Sequence, residues 1–148
     1  MRKTQGALLV GWREWLSLPA LGIDAIKVKV DTGALTSALH AIHLRRRTVD
    51  GREIVRFEVH PIQRRSDITV ACEAELVGER LIRSSSGHHE HRPVIRTPMV
   101  LGGREWPIEI TLTNRDSMGF RMLLGRRAMR RRMIVDPGHA YLCGEPAG

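Results

Sequence analysis

The sequence predicts an all-β fold, a barrel or sandwich of short strands with one short helix near the C-terminus. Three observations carry that expectation. Short apolar or alternating segments recur at regular spacing, with Gly, Pro and Asp turn signals between them. Asp50-Gly51 and Gly102-Gly103 each stand between two strand-like arms, as hairpin turns do. One segment, 128–132, reads as a helix, and it is a turn or two long.

In chain order, 7–10 is a short apolar run ended by Gly11. Segment 26–30 alternates, with Ile26, Val28 and Val30 on one face and Lys27 and Lys29 on the other. Segment 37–44 keeps an apolar alternation through Ile42 to Leu44. Segment 52–59 is the second arm of the Asp50-Gly51 hairpin, and Pro61 ends it, because proline cannot donate to a ladder. Segments 69–77 and 79–84 read as a hairpin about Gly78, and 93–101 and 105–113 as one about Gly102-Gly103. Residues 122–124 form a short buried strand. Segments 134–135 and 140–142 are candidates to close the sheet. Residues 63–67 and 84–91 are polar and read as exposed loops, the second a natural flap. Trp12, Trp15 and Trp106 read as packing residues of the barrel.

A chain of 148 residues with 42% apolar content is expected to form a single domain over 1–148 with its own core. No apolar stretch approaches the length of a membrane span, so no membrane partner is expected. The basic start is not followed by a long apolar segment with a cleavage site, which argues against a signal peptide. Cys72 and Cys143 have no metal or redox spacing. A disulfide between them stays open, and a reduced cytoplasmic protein is the simpler reading. The net charge of +8 favours polyanionic partners such as nucleic acid, acidic lipid or acidic peptide. Aromatic residues are 4% of the chain, few for a protein that stacks bases.

The chemistry points to Asp31-Thr32-Gly33-Ala34, which follows the apolar strand 26–30. A carboxylate on a tight turn after a buried strand is well held. It becomes a proton-shuttling catalyst when a second carboxylate lies close, because two such groups at short range share one proton. One then acts as base towards water and the other as acid towards the substrate carbonyl. Gly33 lets the backbone approach the carboxylate, and Thr32 can pin the turn. Asp24, Asp50, Asp67, Asp116 and Asp136 lack the right followers, so a pair requires two chains about a two-fold axis, each giving its Asp31. Downstream, Met122-Leu123-Leu124-Gly125-Arg126 is a second apolar strand followed by Gly-Arg, which resembles the site-closing segment of retropepsins and so implies Leu124 and Gly125 as structural support for the turn.

Several long motifs carry a family resemblance. They are Gly11-Trp12-Arg13-Glu14-Trp15, the run Asp31-Thr32-Gly33-Ala34-Leu35-Thr36-Ser37-Ala38-Leu39-His40-Ala41, Arg56-Phe57-Glu58-Val59-His60-Pro61, Arg92-Pro93-Val94-Ile95, Leu112-Thr113-Asn114-Arg115-Asp116-Ser117-Met118-Gly119 and Met122-Leu123-Leu124-Gly125-Arg126. From about Val10 to Leu142 the chain resembles the bacterial retropepsin-like aspartic peptidases often labelled ATP-dependent zinc proteases. The resemblance implies a closed retropepsin-like (acid protease) β-barrel working as a homodimer. It also implies association with an ATP-grasp ligase that adds glutamate tails to a ribosomal protein, the tails being the substrate. The ATP and zinc of that label do not follow from the residues, since neither a phosphate-binding Gly-x-x-x-x-Gly-Lys loop nor His-Glu-x-x-His is present. No cofactor and no metal are expected.

Viral retropepsins carry an acidic residue two places after the Gly of the turn, where this chain has Leu35. Arg126 therefore needs another partner or faces the substrate. An acidic substrate gives the basic charge a use, since a guanidinium grips a carboxylate at two points. Expected substrate contacts are Ala34, Arg56, Arg92 and Arg126, with Ser86, Gly87 and His88 at the flap tip. Arg127, Arg130, Arg131 and Arg132 read as a solvated helix face or a contact with the ribosomal partner. His88, His89 and His91 crowd together with Glu90 on one loop, a poor basis for a closed zinc site. The rival reading is a non-catalytic basic β-barrel that binds ribosomal RNA or protein.

Overall fold

The computed structural model describes residues 6–62, 67–83, 87–114 and 119–145. Its strands are β1 (Leu8–Gly11), β2 (Arg13–Leu18), β3 (Ile23–Val30), β4 (Ser37–His40), β5 (Ile42–Val49), β6 (Arg52–Val59), β7 (Val70–Arg83), β8 (His89–Leu101), β9 (Arg104–Thr113), β10 (Met122–Leu124) and β11 (Met133–Asp136). A 3-10 turn, Pro19–Leu21, lies between β2 and β3, and the helix α1 spans Arg126–Met129. Strands β2, β3, β10, β4, β9 and β8 are neighbours in that order, and β8 returns to β2 through Ser17 and Val100. The ring therefore closes into a six-stranded barrel with no free edge of its own. Strands β7, β6 and β5 continue outward from β8. Strands β1 and β11 pair in parallel as a separate two-stranded sheet.

The alternation read in the sequence sets which side chains fill the barrel. On β3, Ile26 and Val28 are fully buried, whereas Lys29 is exposed. Leu16, Leu39, Ile95, Ile110, Leu112, Met122 and Leu124 complete the interior. Each such side chain stabilises the fold by about 1.5–3 kcal/mol relative to exposure. The Asp50-Gly51 hairpin forms as expected: φ is 52° at Asp50 and 77° at Gly51, the paired positive values of a type I′ turn.

Three expectations need correction. There is no hairpin about Gly78: β7 runs unbroken from Val70 to Arg83, and Gly78 sits at a register shift against β8. Glycine relaxes the ladder at this bulge instead of reversing the chain. The polar segment after β7 is also shorter than expected, because β8 begins at His89 and takes His89–His91 into the ladder. Segment 140–142 is not a strand. It is tied to β2 by hydrogen bonds, Tyr141 N–H donating to the Arg13 carbonyl at 2.9 Å. Strand β2 itself was not anticipated, and the helix begins two residues earlier than its sequence signal.

Glu14 organises this end of the barrel. Its side chain is fully buried, and its carboxylate accepts from the backbone N–H groups of Gly11 (2.7 Å), Leu142 (2.9 Å) and Cys143 (3.1 Å). A buried carboxylate is tolerated when several donors converge on it. The C-terminal segment is thereby clamped to the start of β2. Cys72 and Cys143 are free thiols. Burial pushes the Cys72 thiol up to about 11. No helix among the described residues is long and apolar enough to cross a membrane.

Candidate active site

Strand β10 lies parallel to β3, with Leu124 beside Val30, and antiparallel to β4. The ladder continues one residue past β3, where Asp31 N–H donates to the Leu124 carbonyl at 2.9 Å. The chain then turns, and Ala34 N–H returns to the Asp31 carbonyl at 3.2 Å. The Asp31 side chain is half-buried, while Thr32 and Gly33 are exposed. Gly33 N–H donates to Asp31 Oδ1 at 2.9 Å. A Cβ on Gly33 would lie 3.2 Å from that same oxygen and crowd it, so glycine keeps the approach open.

The turn rests on the start of α1. Arg126 N–H donates to the Ala34 carbonyl at 2.8 Å and Arg127 N–H to the Leu35 carbonyl at 3.1 Å. Gly125 N–H donates to the Ser37 hydroxyl at 3.0 Å, and Thr111 Oγ1 donates to the Ser37 carbonyl at 2.8 Å. At Gly125 a Cβ would meet the Thr36 backbone at 2.6 Å, so only glycine permits this contact. The Arg126 guanidinium donates to the Thr32 carbonyl at 3.1 Å. That carbonyl takes the place of the acidic partner missing at Leu35.

The structure thus gathers Asp31, Thr32, Gly33, Ala34, Leu124, Gly125 and Arg126 into one unit. It does not bring Arg56 to them. Arg56 stands on β6, outside the closed ring, and pairs with Glu73 at 3.3 Å. Arg92 lies on β8 and pairs with Glu90 at 2.7 Å, a carboxylate that also accepts from Thr113 Oγ1 at 3.0 Å. Gly87 and His88 are exposed between β7 and β8, and Ser86 lies outside the described residues. Ser37 was missed; its signal was a hydroxyl residue just past the turn, opening β4. Among the described residues, no group of three His, Cys, Asp or Glu side chains gathers as metal ligands would. Nor does any described carboxylate share a hydrogen bond with Asp31.

A barrel that presents one aspartate on a glycine turn, braced by an apolar strand and Gly-Arg, has the architecture of a retropepsin-like protein. Residues 9–146 match the model of the RimB-like family, described as retropepsin-like aspartic endopeptidase RimB, and the chain belongs to that family. It is 49% identical over 137 residues to a probable alpha-L-glutamate ligase of Shewanella pealeana, and 50% identical to a protein of the same name from Desulfotalea psychrophila. Each match takes in 93% of this chain but only 30% of the relative, so the chain spans less than a third of those proteins. The crystal structure of Lpg0085 from Legionella pneumophila, a protein of unknown function, superposes with a TM-score of 0.76 at 27% identity. That superposition covers 92% of this chain and 98% of Lpg0085.

Proposed function

We propose that the chain is an aspartic peptidase that works as a homodimer, with catalytic Asp31, Thr32 and Gly33 from each of two copies. The observation that carries this reading is the braced Asp31 turn, which offers one carboxylate per chain among the described residues. Two such carboxylates across a two-fold axis share a proton and titrate as a pair. The ionised one takes a proton from a bound water as the water oxygen bonds to the scissile carbonyl carbon. The protonated one hydrogen-bonds to the carbonyl oxygen, and a proton passes to the leaving nitrogen as the C–N bond breaks. Atoms balance with one water consumed per amide.

The proposed substrate is a glutamate-rich or polyglutamate tail on a ribosomal protein, with an ATP-grasp glutamate ligase as the functional partner, acting in the cytoplasm. The ligase name carried by longer relatives and the net charge of +8 support this assignment. The test is to incubate the wild type and Asp31→Asn with α-linked polyglutamate and read the products by mass. Shortened chains with the wild type and none with the variant are expected. Cleavage by both would overturn the mechanism. Cleavage by neither, with salt-sensitive RNA binding by both, would favour the basic binding module.

A further inference from the structure

A cavity of about 240 Å³ borders the braced turn, and nothing in the proposed chemistry uses it. Val94 and Thr111 are partners in the β8–β9 ladder, as are Arg96 and Glu109. These four side chains therefore share one face of the ladder. Arg80 of β7 also lines the cavity, as does a wall formed by Thr36 and Arg127. Thr36 packs under Gly125, and Arg127 N–H holds the Leu35 carbonyl, so this wall is continuous with the Asp31 turn. The floor is buried and the rim is charged. Val94 and Ala128 are at most 6% exposed, whereas Arg96 and Arg127 are open to solvent.

Among the described residues the rim holds three arginines and one carboxylate. Glu109 is already engaged by Arg80 at 3.4 Å. No carboxylate among the described residues pairs with Arg96 or Arg127. We infer that Arg96 and Arg127 form a subsite for a carboxylate side chain of an acidic peptide, near the scissile bond but apart from the catalytic turn. The inference rests on the reading of the chain as a peptidase for acidic tails and names the residues that would select them. A short side chain ending in a carboxylate fits this shape: methylenes over the apolar floor, oxygens between two guanidinium groups. A nucleic acid is less suited, because no aromatic side chain among the described residues lines the cavity for a base to stack on.

Binding tests the subsite without turnover. A fluorescently labelled oligo-α-glutamate is titrated into Asp31→Asn, and into Asp31→Asn carrying Arg96→Gln, Arg127→Gln or both. Circular dichroism melting confirms that each variant is folded. Loss of both guanidinium groups should weaken binding about tenfold or more, with a shallower salt dependence, and leave a labelled oligoglutamine unaffected. Unchanged affinity in the double variant would overturn the subsite. So would a single-stranded oligonucleotide that binds more tightly through the same two arginines, since the site would then be one for nucleic acid. Arginine-dependent binding of oligoglutamate without any cleavage by the wild type would refute the peptidase and leave the subsite. Cleavage with arginine-independent binding would do the reverse.

Discussion

Asp31 and Leu124 are joined by a main-chain hydrogen bond of 2.9 Å, although 93 positions separate them in the chain. Through it the short strand β10 fixes where the candidate catalytic turn begins. Everything that holds β10 and the start of α1 therefore also holds Asp31.

Gly125 is the most sensitive of these supports. The Cβ of Gly125→Ala would sit 2.6 Å from Thr36 backbone atoms, which cannot swing aside as a side chain can. Gly125→Ala should lower stability by about 1–3 kcal/mol, as overpacking does. Urea unfolding monitored by tryptophan fluorescence checks this, and any peptidase activity should fall by more than the loss of folded protein.

Arg126 acts on the turn from solvent. Its guanidinium bond to the Thr32 carbonyl is exposed, so Arg126→Ala should cost about 1 kcal/mol of stability or less. Its effect should be on turnover, since Thr32 loses a restraint next to Asp31. A fall in kcat several times larger than the rise in KM is the expected split.

Glu14 holds the other end of the barrel. Glu14→Ala leaves three backbone donors without their acceptor, Gly11 in a buried position and Leu142 and Cys143 in part-buried ones. At about 1–3 kcal/mol for the buried donor and less for the two that water can reach, the variant should be clearly destabilised. Hydrogen exchange should rise first in 140–144, the segment the carboxylate clamps.

Asp136 gives the stability a pH dependence. The Gly138 backbone N–H, and after it the His139 side chain, hold its carboxyl below the ordinary 3.8. A depressed folded-state value means the stabilisation is complete above 3.8 and is lost as pH falls through the lower folded value. Asp136→Asn should therefore flatten the melting-temperature profile in acid and leave its shape near neutrality unchanged. An identical acid slope in the variant would place that dependence on other groups.

Much of the fold was legible because its signals are local. Asp50-Gly51 announces a turn that needs two positive φ values, and the Ile26, Val28, Val30 alternation announces a strand with one buried face. Gly78 was misread because a glycine within a strand marks a bulge as readily as a turn, and only pairing with β8 decides between them. Strand β2 was hidden because Leu16, Ser17 and Leu18 are all buried, so its second half shows no alternation. The Asp31 turn and its Leu124-Gly125-Arg126 support could be read from motif alone. Arg80, Arg96 and Arg127 could not, since they lie on β7, β8 and α1 and look like ordinary surface arginines until the barrel closes.

The most direct test of a shared catalytic site is to mix wild-type and Asp31→Asn chains, allow the chains to re-assort, and measure peptidase activity at constant total protein. If each site needs Asp31 from both copies, an equal mixture retains about a quarter of the wild-type activity, since only that fraction of dimers is fully wild type. Retention of about half, in proportion to the wild-type chains present, would mean that each chain works alone and would contradict the two-fold site.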